Sequence, residues 1–308
     1  MPRWSKRRVL LCVLAAAVFV VGWKGARAAY AVYAEFRKPP RGAPARPHME
    51  HLIDVAFQRK DGATLRGWGF PSRNGAAVLL LHGSPSERTQ MLPEAFALYH
   101  AGFGALVIDL PGYGESEGKV DWTPASADAV EAAITAMARL PGVEPSRLGA
   151  YGFSMSTLAL TNEVPRDPRI AAVALSGTLV DYDHALAFEQ GHWGPITAWP
   201  ARAMARLLLD VPHMHAGDVS AISPRPVLFI HGSADAEVPL WMPRQLFAQA
   251  REPKELWIIP GGWHGDYQEV AGQAYFDRLI SFFSQHLLAH TPPVADAPRE
   301  PAGTSTPR

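Results

Sequence analysis

The chain has 308 residues, 48% hydrophobic and 19% charged, enough apolar material for one large globular domain or two small ones. Its 29 Lys+Arg balance 29 Asp+Glu, so no net field points to nucleic acid as a partner or steers a charged substrate. The single cysteine, Cys12, excludes an intrachain disulfide and leaves the redox compartment open.

Arg3, Lys6, Arg7 and Arg8 precede an uncharged, mostly apolar run from Val9 to Trp23, which Lys24 and Arg27 follow. The run is shorter than the about 20 residues that span a bilayer as a helix. Its length and basic flank suit a signal peptide, with the sequence ARA at 26–28 as a cleavage site. Apolar character resumes, however, through AAYAVYAEF, so a helix over 9–36 could tilt while Lys24 and Arg27 snorkel. Residues 1–36 are therefore expected to form a membrane anchor, with secretion after cleavage before Ala29 as the alternative. Basic charge ahead of the run favours an inside N-terminus and an exported domain, on the periplasmic or extracellular side. The six Lys/Arg between Lys24 and Arg46 pull against that orientation. Cys12 follows Arg8 too closely for a lipoprotein signal and reads as a membrane-core residue.

Residues 37–48, rich in proline and arginine, read as an extended linker. Residues 290–308 carry five prolines and almost no large apolar side chain, the composition of a disordered tail. The folded body is expected at 49–289. It opens with a hairpin, 51–58 and 64–70 around Lys60-Asp61-Gly62. Continuous apolar runs at 76–83 and 104–110 predict strands buried on both faces. Helices are expected near 88–100 and over 124–142. Further strands follow at 147–152, 169–177, 225–232 and 254–261, with a short helix at 155–163. Phe276, Leu279, Ile280, Phe283 and Leu287 mark a last amphipathic helix. Strands alternating with helices predict an α/β fold, a mainly parallel central sheet flanked by helices. Residues 177–223 interrupt the alternation with an aromatic, amphipathic segment, the pattern of a small helical lid.

In such a sheet, active residues sit in loops past the carboxyl ends of strands. Four loops there carry candidate chemistry. In LHGSPSE the N–H of Ser84 is placed to donate to a developing oxyanion, although the fragment alone equally describes a plain turn. In IDLPGYGESEG the glycines invite a phosphate-binding reading, but neither a P-loop nor a dinucleotide fingerprint is present. GAYGFSMSTLAL, residues 149–160, reads as strand, sharp turn and helix with Ser154 at the apex. The corresponding signature is G-x-S-x-G, and Ser156 stands where its second glycine would be. Such a turn exposes the serine hydroxyl and aims the Met155 N–H from a helix start. The later loops carry Asp235 and His264, each just past a strand. Asp235 could be a turn former and His264 a surface residue. The chain order Ser154, Asp235, His264 is the one that joins them.

These stretches together (LLLHGSP, VIDLPGYGES, GFSMS, LFIHGSADAEVP and PGGWHGD) resemble the α/β-hydrolase-fold serine hydrolases, the broad esterase, lipase and peptidase-like group, over residues 49–289. The resemblance implies Ser154 as nucleophile, His264 as base then acid, and Asp235 as the residue orienting His264. It implies an oxyanion hole from the N–H groups of Ser84 and Met155, with no metal or organic cofactor. A serine at the elbow disfavours the chemistry of the related dehalogenases and epoxide hydrolases, which attack with aspartate. There is looser similarity to membrane-anchored hydrolases with one N-terminal helix. The expected reaction is cleavage of a carboxylic ester, thioester or amide through an acyl-serine. The apolar lid favours small or lipid-like acyl substrates. A peptidase of the same fold and a non-catalytic scaffold retaining it are the alternatives. Asp266 is a rival partner for His264. His82 and His231 are expected in structural hydrogen bonds, and His213 and His215 on the surface or lid rather than in a zinc site.

Overall fold

The computed structural model describes residues 6–37, 39–123, 126–192, 194–209 and 211–288. The expected tail at 290–308, Trp193, and the Pro124 expected to open a helix lie outside the described residues.

Chain order begins with helix α1 (Lys6–Arg37), then the hairpin β1 (Ile53–Gln58) and β2 (Thr64–Phe70). Next come β3 (Ala77–Leu81), α2 (Leu92–His100), β4 (Gly104–Ile108), α3 (Ala127–Met137), β5 (Leu148–Phe153), α4 (Ser156–Glu163) and β6 (Ile170–Ser176). The interrupting segment supplies α5 (Tyr182–Gly191) and α6 (Pro195–Leu208). The body closes with β7 (Val227–Gly232), α7 (Trp241–Gln249), β8 (Lys254–Ile259), α8 (Tyr267–Ala271) and α9 (Gln273–Phe283).

The strands form one eight-stranded sheet in the order β1-β2-β4-β3-β5-β6-β7-β8. β1, β2 and β4 pair antiparallel; every pairing from β4 through β3 to β8 is parallel. The continuous apolar runs have a simple cause. Successive side chains point to opposite faces, and both faces are covered. Ala77, Leu79 and Leu81 pack with Val130, Ile134, Leu158 and Met242 from α3, α4 and α7. Val78 and Leu80 pack on the other face with Leu98 of α2 and Leu279 and Phe283 of α9.

Helix α1 behaves differently along its length. Val9, Leu11, Val18, Phe19 and Trp23 are exposed, whereas Gly25, Ala28, Val32 and Phe36 form a buried stripe at helical spacing. That stripe lies on the α5–α6 segment. A Cβ at Gly25 would sit 3.1 Å from Pro200 Cγ, and the Phe36 ring meets Tyr182 edge-on at 5.5 Å. Gly25 beside Pro200, with Phe36 sharing a surface cleft with Leu208, makes α6 run alongside the second half of α1 in the same direction. The proline-rich segment after α1 also touches the body. The Gly42 N–H donates to Gly114 O, the Gly114 N–H to Pro40 O, and Arg41 to Ser116 O.

Candidate active site

β5 ends at Phe153, and α4 begins at Ser156, so the chain must reverse within two residues. Ser154 takes up the strain, with φ +55°, in the left-handed region that costs a non-glycine residue about 1–3 kcal/mol. The surroundings hold it there. Its N–H donates to Ser176 O at 2.8 Å, and its carbonyl accepts from the Thr157 N–H and hydroxyl at 2.9 and 2.7 Å. Strand and helix consequently cross closely. A Cβ at Gly152 would lie 2.6 Å from Leu160 Cδ1 and 3.1 Å from Ser156 Oγ.

Ser156 does more than fit. It is fully buried, its Oγ accepts the Phe153 N–H at 3.0 Å, and it lies within 3.0 Å of both Leu81 O and Phe153 O. Its hydroxyl therefore ties β5 at the elbow to the end of β3, a bond that glycine could not make.

The structure brings Ser154, His264 and Asp235 together from three loops. Ser154 Oγ lies 2.9 Å from His264 Nε2, and His264 Nδ1 lies 2.7 Å from Asp235 Oδ2. An ionised carboxylate only accepts, so Nδ1 carries the imidazole proton and Nε2 is free to accept from the serine. The other Asp235 oxygen accepts the N–H groups of Glu237 and Val238 at 2.9 and 2.8 Å. Tyr267 donates its hydroxyl to the oxygen that His264 uses. Burial works against an ionised Asp235, but the bonds from His264 and Tyr267 outweigh it and hold its pKa below the ordinary carboxylate value. Burial likewise opposes a charged His264. Asp235 overcomes this, with Glu237 and Glu189 adding, and the His264 pKa is raised. Glu237 stands 3.7 Å from Nε2. Burial in turn raises the pKa of both Glu189 and Glu237.

Ser84 follows β3, next to the elbow: a Cβ at Gly83 would lie 3.1 Å from Ser154 Cβ. Met155 immediately precedes α4, at the positive end of its dipole. Among the described residues, neither the Ser84 nor the Met155 backbone N–H is taken up by a hydrogen bond. Asp266 does not compete for His264, because its carboxylate caps the Trp263 N–H at 2.6 Å. His82 is structural: Nδ1 donates to Gly83 O at 2.7 Å and Nε2 accepts the Leu110 N–H at 3.0 Å. Burial pushes its pKa down to about 4, so it stays neutral. His231 donates to Val238 O beneath Asp235. In the glycine-rich loop, Asp109 binds Arg88 at 3.1 Å and accepts the Glu115 N–H, which makes it a turn anchor.

A mainly parallel sheet with a strained serine at a strand–helix elbow calls for comparison with known proteins. Residues 72–223 match the family model described as serine aminopeptidase, S33. The uncharacterized protein YfhR of Escherichia coli K12 is 30% identical over 240 residues, covering 74% of this chain and 79% of YfhR. The chain belongs to the α/β-hydrolase family. The uncharacterized protein Rv2307c of Mycobacterium tuberculosis is also 30% identical to this hydrolase, over 236 residues, 75% of the chain and 79% of that protein. Among solved structures, the esterase Pf2001 of Pyrococcus furiosus superposes with a TM-score of 0.66 at 19% identity, covering 81% and 99% of the two chains. The α/β hydrolase GrgF of Penicillium sp. sh18 superposes with a TM-score of 0.62 at 22% identity, covering 77% and 99%. At those identities the two structures speak for the fold alone.

Reasoning from sequence missed Tyr267, Glu189 and Glu237. Tyr267 opens α8 three residues past His264, and only its bond to Asp235, far away in sequence, gives it a role. The two glutamates come from α5 and from the loop after β7, and no local pattern joins them.

Proposed function

We propose that the chain is a membrane-anchored serine hydrolase that cleaves carboxylic esters, with thioesters or amides as related substrates. Ser154 Oγ attacks the acyl carbon while its proton passes to His264 Nε2. Asp235 stabilises the imidazolium and keeps the ring in the required tautomer. The N–H groups of Ser84 and Met155 donate to the tetrahedral oxyanion. Collapse breaks the bond to the leaving group, which takes the proton from His264. Water then deacylates Ser154 by the same steps reversed. The observation that carries this reading is the unbroken Ser154–His264–Asp235 chain of 2.9 and 2.7 Å on a strained elbow.

The substrate class we favour is a small or lipid-like acyl ester. A cavity of about 430 Å³ is lined by Ala31 and Val32 of α1, Leu186 and Glu189 of α5, and Pro85 beside the oxyanion loop. An 18-residue window of α1 has mean hydropathy 2.2, and the exposed Trp199 of α6 near the Gly25 level fits an aromatic side chain at a bilayer surface. Such an anchor would set the cavity beside the membrane, with the body exported. A second reading, an aminopeptidase, is favoured by Glu189 and Glu237, whose carboxylates face His264 and would pair with a substrate ammonium.

Full-length protein assayed on p-nitrophenyl esters of graded acyl length and on aminoacyl anilides, free and N-acetylated, separates these readings. Ester turnover that disappears in Ser154→Ala supports the first. Turnover confined to free aminoacyl anilides supports the second. No turnover of any substrate by the folded protein favours the scaffold.

A further inference from the structure

The second half of α1 does something no anchor requires. Gly25, Ala28, Val32 and Phe36 fix its rotation against the body, and this turns Glu35 inward toward the loop after β3. Glu35 Oε1 accepts the Ser84 hydroxyl proton at 2.8 Å. Ser84 Oγ lies 2.8 Å from the Tyr113 hydroxyl as well. A serine hydroxyl has one proton to give. Burial raises the Glu35 pKa to about 7; with the carboxylate ionised, Ser84 gives its proton to Glu35, Tyr113 is the donor in the second bond, and the relay runs Tyr113 to Ser84 to Glu35. Ser84 is thereby held from both sides.

The rest of the turn is equally tied. The Gly83 N–H donates to Gln90 Oε1 at 2.8 Å, and Gly83 O accepts from His82. This braced turn lies against the elbow, where a Cβ at Gly83 would come 3.1 Å from Ser154 Cβ. An oxyanion donor is worth most when it needs no reorganisation as charge develops.

We propose that Glu35 is a positioning residue: carried on the N-terminal helix, it acts through the Ser84 hydroxyl to hold the Ser84 N–H where the oxyanion forms. This rests on the reading of Ser84 as an oxyanion donor in a serine hydrolase. It makes the membrane helix part of the catalytic apparatus. The groups packed around Glu35 are Ser84 and Tyr113 from the body and Glu189 and Gln190 from α5.

The test uses the full chain in detergent or vesicles, with kcat expressed per site titrated by a fluorophosphonate, so that unfolded protein drops out. Removing an oxyanion donor outright costs about 10²–10³ in kcat, and loosening one should cost less, about 10-fold. Glu35→Ala should therefore lower kcat about 10-fold with KM changed less than about 2-fold. Glu35→Gln, which keeps an acceptor oxygen, should recover most of the loss. Ser84→Ala should match Glu35→Ala, and the double variant should fall no further, because both remove the same bond. Inhibition by a trifluoromethyl ketone, whose adduct carries the oxyanion, should weaken by the factor lost in kcat. Trp23→Ala changes an exposed position of the same helix, away from Ser84 and the cavity, and should leave kcat per titrated site unchanged.

Three results overturn the proposal: wild-type kcat in Glu35→Ala, additive losses in the double variant, or an equal loss in Trp23→Ala. Failure of the wild type to react with the fluorophosphonate or to turn over any ester overturns the hydrolase reading itself, and this inference with it. Normal turnover by the wild type together with an unaffected Glu35→Ala removes this inference alone.

Discussion

The floor and the roof of the site are built by different means. The floor is the row of loops at the strand ends, where Ser154, Ser156, Asp235 and His82 are all buried and hydrogen-bonded to backbone. The roof is α5, α6 and the second half of α1, held by small-residue contacts such as Gly25 on Pro200 and by ring contacts such as Phe36 on Tyr182. A floor fixed by directional bonds tolerates little displacement, because each buried polar group left unpaired costs about 1–3 kcal/mol. A roof fixed by surface packing can shift by small amounts. On the proposed reading, the chemistry belongs to the floor, braced from the roof by Glu35, and substrate choice and electrostatic tuning belong to the rest of the roof and the rim.

Substitutions can break or sharpen this division. The largest effect is expected at Asp235. Asp235→Asn should lower kcat by about 10³–10⁴, because the amide no longer fixes the His264 tautomer. A loss under 10-fold, measured in stopped-flow turnover, would remove Asp235 from its role.

Ser156 comes next. Ser156→Leu forces a large side chain into the fully buried strand–helix crossing and removes the tie to Phe153 and Leu81. It should abolish activity and destabilise the fold by more than about 3 kcal/mol, combining overpacking with an orphaned Phe153 N–H. Ser156→Ala should cost about 1–3 kcal/mol while turnover persists. Denaturant titration reads both, and wild-type stability in Ser156→Leu would show that the crossing is loose.

A smaller effect is expected at the rim. His264 must be neutral to accept the Ser154 proton, and its raised pKa puts the acid limb of kcat/KM above the ordinary imidazole range of about 6.5. Glu237→Gln removes a charge that favours the imidazolium, so the limb should move to lower pH with the plateau little changed. A limb that stays in place, or moves up, would contradict the electrostatic assignment.

The smallest effect is expected in the roof itself. A Cβ at Gly25 already approaches Pro200 Cγ at 3.1 Å, so Gly25→Leu must push α6 away from α1. Turnover of short esters should be retained while KM for long-chain esters rises. Loss of turnover on short esters would show that the α1–α6 packing itself, and not only Glu35, supports the chemistry.

The floor was legible in the sequence and the roof largely was not, for a physical reason. Strands buried on both faces read as apolar runs such as AAVLLLHG, and their ends mark where chemistry can sit. Ser154, Asp235 and His264 each fall just past such a run. The α5–α6 insertion was visible as a segment too long and too aromatic for a loop. That α6 would lie along α1 was not visible, because matching two apolar stripes far apart in the chain is a tertiary event. Glu35, Glu189 and Glu237 look like ordinary surface glutamates in the sequence, and only packing shows where they face. Ser156 read as a small residue in place of glycine, since a hydroxyl's bond to a neighbouring strand leaves no local pattern.

The most direct test of the central claim is to treat the full-length protein with a fluorophosphonate and map the adduct by mass spectrometry. One phosphonyl group on Ser154, absent from Ser154→Ala and slowed strongly in an otherwise folded His264→Ala, is the expected result. An adduct on another residue, or equal labelling of Ser154→Ala, would contradict the assignment of Ser154 as the nucleophile.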